Sequence, residues 1–543
     1  MRPCACRLLI AALTLSPWAT AVAELPSADL TIEVVIDGEI DKSLAAAGVT
    51  GQASAQPEVL LRRMTLDLAG RIPTTSEQDW FRVLPDDSRT VQLVDRLMEL
   101  PDFDFHLRNS LHELLMENHL YDGEFRDYLL WAVRQRQPWS RMFRDILLAR
   151  ESEGPENGAG RFLKSRVQEV DNLTNDTAVL FFGVNISCAK CHDHPLVADW
   201  KQDHFYGMQT FFSRTFVTRK NVLTERPFGE VRFKTTTGED KPAAFMFLTG
   251  LTIEDKSPKY SDDDRKLVEA QFRKIEQDEN AGFVSFPDFS PRRSLIDAAL
   301  QDDTERYLAR SIVNRTWARL MGQGIVDPHD QMHSGNPPSH PDLLNWLARD
   351  LATHDYDLRR LIRGIVLSKA YARSSESSGT ELPAPSLFAV AQVRPLTPRQ
   401  LAASLFVASR NPASWPAVGA ADDWSRVRQD IENQADGWSR EFEQPTASFQ
   451  VAVDEALFFN NNERVPNDLL ADAGDRLCGS LLANADDQVI AEALWKTVLV
   501  RSPSPDEQEA AIAWLTRNGV DRKESIRSLT WALFAGPEMR FNH

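Results

Sequence analysis

Apolar residues recur at helical spacing through most of residues 30 to 212. In PEVLLRRMTLDLAGRIP, Val59, Leu60, Met64, Leu66 and Leu68 share a broad stripe with charged residues between them, and Gly70 stops the helix ahead of Pro73. RTVQLVDRLMEL, FHLRNSLHELLMENHL, FRDYLLWAVRQRQ and WSRMFRDILLAR repeat the amphipathic pattern. The polar, glycine-rich ESEGPENGAG at 151–160 predicts a surface loop. DNLTNDTAVLFFGVNISCAKCHDHP then runs from a helix with an apolar centre into a loop. Between 213 and 258, alternation in FGEVRFKTTTG and the run AAFMFLTGLTI, with Thr237-Gly238 as a turn, predict strands. A charged helix follows at 262–277, and FPDFSPRRS at 286–294 reads as an interdomain connector. Further helices are expected at 303–321, 341–353, 357–369, 397–409, 449–459, 486–500, 505–517 and 523–535. No repeat of fixed period is present. The pattern predicts a mainly α protein of two helical domains, 24–212 and 286–543, with a small β insert and a charged helix between them at 213–285.

Composition narrows the class. A chain of 543 residues, 42% hydrophobic and 26% charged, is globular, and its net charge of -18 has the wrong sign for a nucleic-acid backbone. Arg2 and Arg7, the apolar run Leu8 to Leu15, and Ala21-Val22-Ala23 ahead of Glu24 read as a signal peptide over 1–23. No later stretch approaches the length of a membrane span, so the sequence predicts an exported protein, periplasmic or at the cell surface, and not an integral membrane one. Of the five cysteines, Cys4 and Cys6 fall in the leader and Cys188, Cys191 and Cys478 remain, too few for a disulfide scaffold. Asp262-Asp263-Asp264 reads as a solvated face.

Cys188-Ala189-Lys190-Cys191-His192 has the spacing of a covalent c-type haem site. Two thiols three residues apart can add to the vinyl groups on one side of a porphyrin, and the imidazole of His192 can then serve as proximal iron ligand. By chance the pattern is expected on the order of two times in ten thousand for this composition. Three other chemistries draw on the same residues. One is a local disulfide. A thioredoxin-like pair would want a strand before the motif and a helix after it. A zinc or iron site could use Cys188, Cys191 and two of His192, His194 and His204, without the usual second cysteine pair. Cys478 reads as a small buried hydrophobe.

The opposite face of the iron has several candidate ligands. His194, His204 and Met208 are close in sequence, His106, His112, Met116 and His119 share one predicted helix, and Met332, His333 and His340 lie in DPHDQMHSGNPPSHP. His112-Glu113 lacks the second histidine of a zincin, and no Walker A loop, dinucleotide glycine pattern or Gly-x-Ser-x-Gly elbow occurs. Asp193 has two readings, orienting the His192 ring or capping a turn or helix, while Pro195 bends the chain away. The segment Asp327 to Pro341 mixes histidines, prolines and aspartates as core packing would not require. It is expected to bring the second domain to the motif, with His333 in a site role and Ser339 or His340 capping the helix that Pro341 begins. The leading function is one c-type haem in electron transfer or haem-dependent oxidoreduction, with redox partner proteins. The rival is an extracytoplasmic scaffold or binding protein stapled by zinc or a disulfide. No reaction is assigned. Loss of either motif cysteine is expected to remove the haem and much of the domain's stability.

RRMTLDLAGRIPTTSE, FFGVNISCAKCHDHPLVADWKQDHFYGMQTFF, ARSIVNRTWARLMGQGIVDPHDQMHSGNPPSHPDLLNWLARDL, LRRLIRGIVLSKAYARSS, VRPLTPRQLAASL and LTWALFAGPEMRFNH together resemble the tandem-domain secreted proteins abundant in planctomycetes. In that family a cytochrome-like domain with a Cys-x-x-Cys-His-Asp-His signature precedes a planctomycete-specific C-terminal domain, both of unknown function. The resemblance spans nearly all of the chain after the leader and implies an exported, haem-bearing protein without implying a reaction. The chain departs from the family in two places. It has no second Cys-x-x-Cys-His for the further cytochrome c domain many relatives carry, and Asp203-His204-Phe205-Tyr206 replaces an acidic-aromatic-aromatic run.

Overall fold

The structure, a computed structural model, describes residues 25–116, 122–149, 154–194, 197–279, 287–377, 381–419, 421–445, 459–517 and 519–543. The leader at 1–23, His119, Pro195 and all but the last residue of the helix expected at 449–459 lie outside them.

The protein is mainly α with small β hairpins, as the periodicity predicts. Its first half comprises α1 (Ile32–Ala47), α2 (Pro57–Ala69), α3 (Thr75–Arg82), α4 (Arg89–Glu99), α5 (Pro101–Met116), α6 (Gly123–Arg134), α7 (Trp139–Leu148), α8 (Arg161–Lys164), α9 (Val170–Phe182) and α10 (Gln202–Thr210). Gly70 ends α2 with a φ of 68°. Thr74 and Glu77 then start α3 as a reciprocal capping box: the Thr74 side chain accepts from the Glu77 N–H at 3.2 Å, and the Glu77 carboxylate accepts from the Thr74 N–H at 2.9 Å. The surface loop expected at 151–160 is instead, from Pro155, a 3-10 helix whose Gly158, Ala159 and Gly160 are buried. A Cβ on Gly158 would overlap the Glu124 carbonyl of α6, so glycine is there for close packing and not for flexibility.

The insert consists of antiparallel pairs: β1 (Thr215–Val217) with β2 (Leu223–Glu225), β3 (Arg232–Lys234) with β4 (Asp240–Pro242), and β5 (Phe245–Met246) with β6 (Thr252–Ile253). The charged helix α11 (Asp262–Gln277) buries no residue, and Ser261 caps its acidic first turn. The connector expected at 286–294 gives way to α12 (Pro291–Leu300), capped by Ser290 and opened by Pro291. Arg292 of α12 donates to Glu225 of β2 at 2.7 Å with both side chains buried, which pins the insert to the helices.

The second half contains α13 (Tyr307–Met321), α14 (Pro341–Thr353), α15 (Leu358–Val366), α16 (Lys369–Ala372), β7 (Arg394–Pro395), α17 (Pro398–Ser409) and α18 (Ala421–Trp438). Helices over Leu477–Leu482, Asp487–Val498, Pro505–Leu515 and Arg522–Ala535 follow, and β8 (Phe541–Asn542) returns to pair with β7. The two helical halves share one continuous core of buried side chains from Ile32 to Met539, with α9 packed on α13, α7 on α12, and α1 on α14 and α15. A buried carboxylate staples them. Asp67 of α2 accepts from Arg394 at 3.0 and 2.7 Å, from the Tyr371 hydroxyl at 2.7 Å and from Asn542 at 3.0 Å. Among the described residues no helix is long and apolar enough to cross a membrane.

Candidate functional site

The thiol motif follows directly from α9. Gly183 ends that helix with a φ of 69°, and a Cβ there would come within 3.0 Å of the Met332 sulfur and 3.1 Å of the His329 carbonyl, so glycine lets a loop of the second half descend onto this turn. The loop is held by backbone hydrogen bonds. The Asn185 N–H donates to the Asp330 carbonyl at 2.8 Å, and the Met332 N–H donates to the Gly183 carbonyl at 3.0 Å. The Asn185 side chain in turn accepts from the Ser187 N–H at 3.1 Å and the Ser187 hydroxyl at 2.7 Å, opening a 3-10 turn over Ser187–Lys190. Ala189 of that turn is buried, while Cys188, Cys191 and His192 are exposed and both thiols are free.

The imidazole next to the thiols has a defined tautomer. His192 Nδ1 lies 2.8 Å from the Asp193 carbonyl, which can only accept, so Nδ1 is the donor here and the neutral form of the ring has its lone pair at Nε2. The two readings of Asp193 divide between its atoms: the backbone carbonyl orients the His192 ring, and the carboxylate accepts from the Gln202 N–H at 3.0 Å, satisfying the first donor of α10. The helix α10 and the insert then brace the turn. The Gln202 side chain donates to the Cys191 carbonyl at 3.2 Å and the Lys234 carbonyl at 3.3 Å. The Tyr206 hydroxyl donates to the Lys190 carbonyl at 3.0 Å, and its ring stacks on Phe233 at 4.3 Å.

Three of the candidate second ligands gather on this side of the molecule. Asp199 is the hub: its carboxylate accepts from the Ser334 N–H and the Ser334 hydroxyl, each at 2.7 Å. Burial works against the charge, but these two bonds win and hold the carboxyl below its usual range. His333 lies beside Asp199 and His194. Burial lowers its pKa, Asp199 opposes that, and His194 adds to it. Its Nδ1 accepts from the Gly335 N–H at 3.1 Å and its Nε2 faces the Gln331 side-chain Oε1 at 3.2 Å. His194 accepts from the Val197 N–H at 3.1 Å, and His204 accepts from the Lys201 N–H at 3.1 Å with its ring edge-on to Trp200. The expected approach of the 327–341 segment to the motif is thus present as hydrogen bonds. Asp199→Ala is expected to speed amide exchange at Ser334 about tenfold or more relative to α9, because charge-assisted hydrogen bonds worth ~1.5–3 kcal/mol are removed. Unchanged exchange would show that the carboxylate does not hold the loop.

The remaining candidates have other surroundings. Met208 is fully buried in the core, and Met332 is buried beneath Gly183. On α5, His106 Nε2 accepts from Arg319 at 3.3 Å, His112 packs against the Phe125 ring, and Met116 sulfur lies 3.8 Å from Arg166. His340 occupies the N-cap position of α14 with Pro341 next, yet its side chain does not cap. It turns to the Ser339 hydroxyl at 3.1 Å and the Phe388 ring, while Ser339 donates to the Ile325 carbonyl at 3.1 Å. Cys478 is fully buried beside the Thr530 hydroxyl. Among the described residues no group of three or more histidine, cysteine, aspartate or glutamate side chains is arranged to hold a metal ion. Sequence reasoning did not single out Asp199, Ser334, Gln202 or Tyr206. None carries a motif, and each acts through a partner remote in sequence or through a backbone carbonyl.

A mainly helical chain with one Cys-x-x-Cys-His turn defines a class, and comparison with family models resolves it. The model described as PSCyt2, protein of unknown function (DUF1549), matches residues 35–216, and the model described as PSD1, protein of unknown function (DUF1553), matches residues 291–515. The chain belongs to the proteins that carry these two domains in tandem. No curated protein and no solved structure matches it.

Proposed function

We propose that the protein carries one c-type haem on Cys188 and Cys191, with His192 as its proximal ligand, and acts in electron transfer or haem-dependent oxidoreduction outside the cytoplasm. One observation carries this reading: two free, exposed thiols on a single turn are followed by an imidazole whose proton is committed to a backbone carbonyl, leaving Nε2 as the donor. When bound, such a group supplies one-electron chemistry at iron. The chain's own residues anchor it, orient the proximal ring through the Asp193 carbonyl, and bring His194, His204 and His333 near as second-ligand candidates. Because all three motif side chains are exposed, the haem would sit at the surface, where an edge open to a redox partner favours electron transfer over enclosed chemistry. The rival scaffold reading uses the same residues. Zinc, however, asks for four donors drawn together, and haem attachment asks only for two thiols and an imidazole in series.

This surface placement revises the expected cost of losing the haem. Cys188→Ala and Cys191→Ala are each expected to abolish covalent attachment while changing stability by less than ~1 kcal/mol, because neither side chain belongs to the core. The check is intact-protein mass after export in a haem-attaching host, with absorbance after acid-acetone extraction and an unfolding curve for each variant. Unmutated exported protein with no haem mass, or variants that keep the full visible spectrum, would refute the reading.

A further inference from the structure

The two halves line an open cavity of about 330 Å³ between α5, α13 and α15. That is at the small end of the ~300–1,000 Å³ typical of ligand sites. One wall is apolar, formed by Leu107, Leu111, Ile312, Leu358 and Ile362. A smaller chamber of about 170 Å³ adjoins it and shares Ser110, Glu113 and Arg319 with it, so those three side chains stand where the two spaces meet.

Two opposite charges at that junction make no ion pair with a described residue. Arg319 touches only uncharged acceptors, His106 Nε2 and the Ser110 hydroxyl, each at 3.3 Å, and makes no ion pair with a described residue. Glu113, three positions after Ser110 on the same face of α5, makes neither a hydrogen bond nor an ion pair with a described residue. Its surroundings raise its pKa through burial, against the opposing pull of Arg399 and Arg319. The other charges of the smaller chamber are already matched: Asp67 by Arg394, and Arg399 by Glu432 and Asp436. A guanidinium and a carboxylate that face one space, neither in contact with an opposite charge, suit a ligand that carries both signs. A ligand with only a carboxylate would satisfy Arg319 and be repelled by Glu113, and one with only an amine would do the reverse.

We infer that this cavity binds a small zwitterion with an apolar side chain, of the class of hydrophobic α-amino acids. Its carboxylate meets Arg319, its ammonium meets Glu113, and its side chain lies along the leucine and isoleucine wall. This inference does not depend on haem attachment. The test is calorimetric titration of the full protein with L-leucine and L-phenylalanine, beside 3-phenylpropionate and phenethylamine, which keep the apolar part and one charge each. An amino acid is expected to bind with a Kd below about 1 mM and each single-charge analogue at least tenfold more weakly. Glu113→Gln is expected to weaken amino-acid binding at least tenfold, and Ile312→Trp, which fills the apolar end, to abolish it, with circular dichroism confirming the fold of each. The absence of binding by both amino acids to the unmutated protein, equal binding by 3-phenylpropionate, or unchanged binding in both variants would overturn the inference.

Discussion

Glutamine in place of Glu432 is expected to destabilise the protein by about 3–5 kcal/mol, the cost of removing one partner from a buried ion-pair network. Glu432 of α18 is 5% exposed and stands among four guanidinium groups. It accepts from Arg108 of α5, from Arg126 of α6 at 3.0 Å, from Arg399 of α17 at 3.2 Å and from Arg428 of its own helix at 3.3 Å. The first two belong to one half of the chain and the last two to the other, so this carboxylate, with Asp436 beside it, offsets a junction of guanidinium groups drawn from both halves. Burial already draws Arg108 down to about 10 even with Glu432 beside it. Glutamine keeps the shape and one acceptor oxygen, and loses the charge and the second acceptor. Asp436→Asn should cost less, because Asp436 is partly exposed and pairs, among the described residues, with two guanidinium groups, Arg126 and Arg399. Urea unfolding of the two variants measures both effects. A Glu432→Gln loss under ~1 kcal/mol would mean that solvent screens the cluster.

The same helix marks the limit of what the sequence discloses. Segments with plain start or stop signals, such as α2 before Gly70 or α14 after Pro341, are legible from their apolar spacing, although α2 also buries Arg62, Arg63 and Asp67. In α18 the inward face interleaves Trp424, Ile431, Ala435 and Trp438 with buried Arg428 and Glu432, so its apolar period is broken by charges that only tertiary partners justify. The glycines at 158 and 160 signal a loop by composition and serve close packing, which depends on where α6 lies. At the site, spacing alone discloses the thiols and His192, since attachment chemistry acts over consecutive residues. Asp199 and Ser334 stand 135 positions apart, and no local pattern links them. The chemistry of the 327–341 segment pointed toward the motif. Which of its residues make the contact was decided by the backbone of Asp330 and Met332 and by Ser334.

Stability is expected to fall as pH drops from about 6.5 toward 4, through histidines that the fold keeps neutral. His340 is the clearest case: it is 5% exposed, its Nε2 is buried without a hydrogen-bond partner, and burial alone lowers its pKa to about 4. His112 is lowered to about 4 by burial and then by Arg126, Arg399 and Arg108. His106 lies well below its ordinary value through burial and then Arg319, whose N–H it accepts. In the unfolded chain these rings protonate near 6.5, whereas the folded rings resist protonation until far lower pH. The folded state therefore binds fewer protons across this window, so the stabilisation is complete above 6.5 and is lost as pH falls through the folded values. For His340 the difference amounts to roughly 3 kcal/mol at ~1.4 kcal/mol per pH unit. His340→Phe keeps a ring against Phe388 and removes the titration. Between pH 6 and 5 its unfolding free energy should decline less steeply than that of the unmutated protein, by up to ~1.4 kcal/mol per pH unit, whatever its absolute stability. Parallel pH profiles would mean that His340 takes up its proton equally in both states and that the acid sensitivity arises elsewhere.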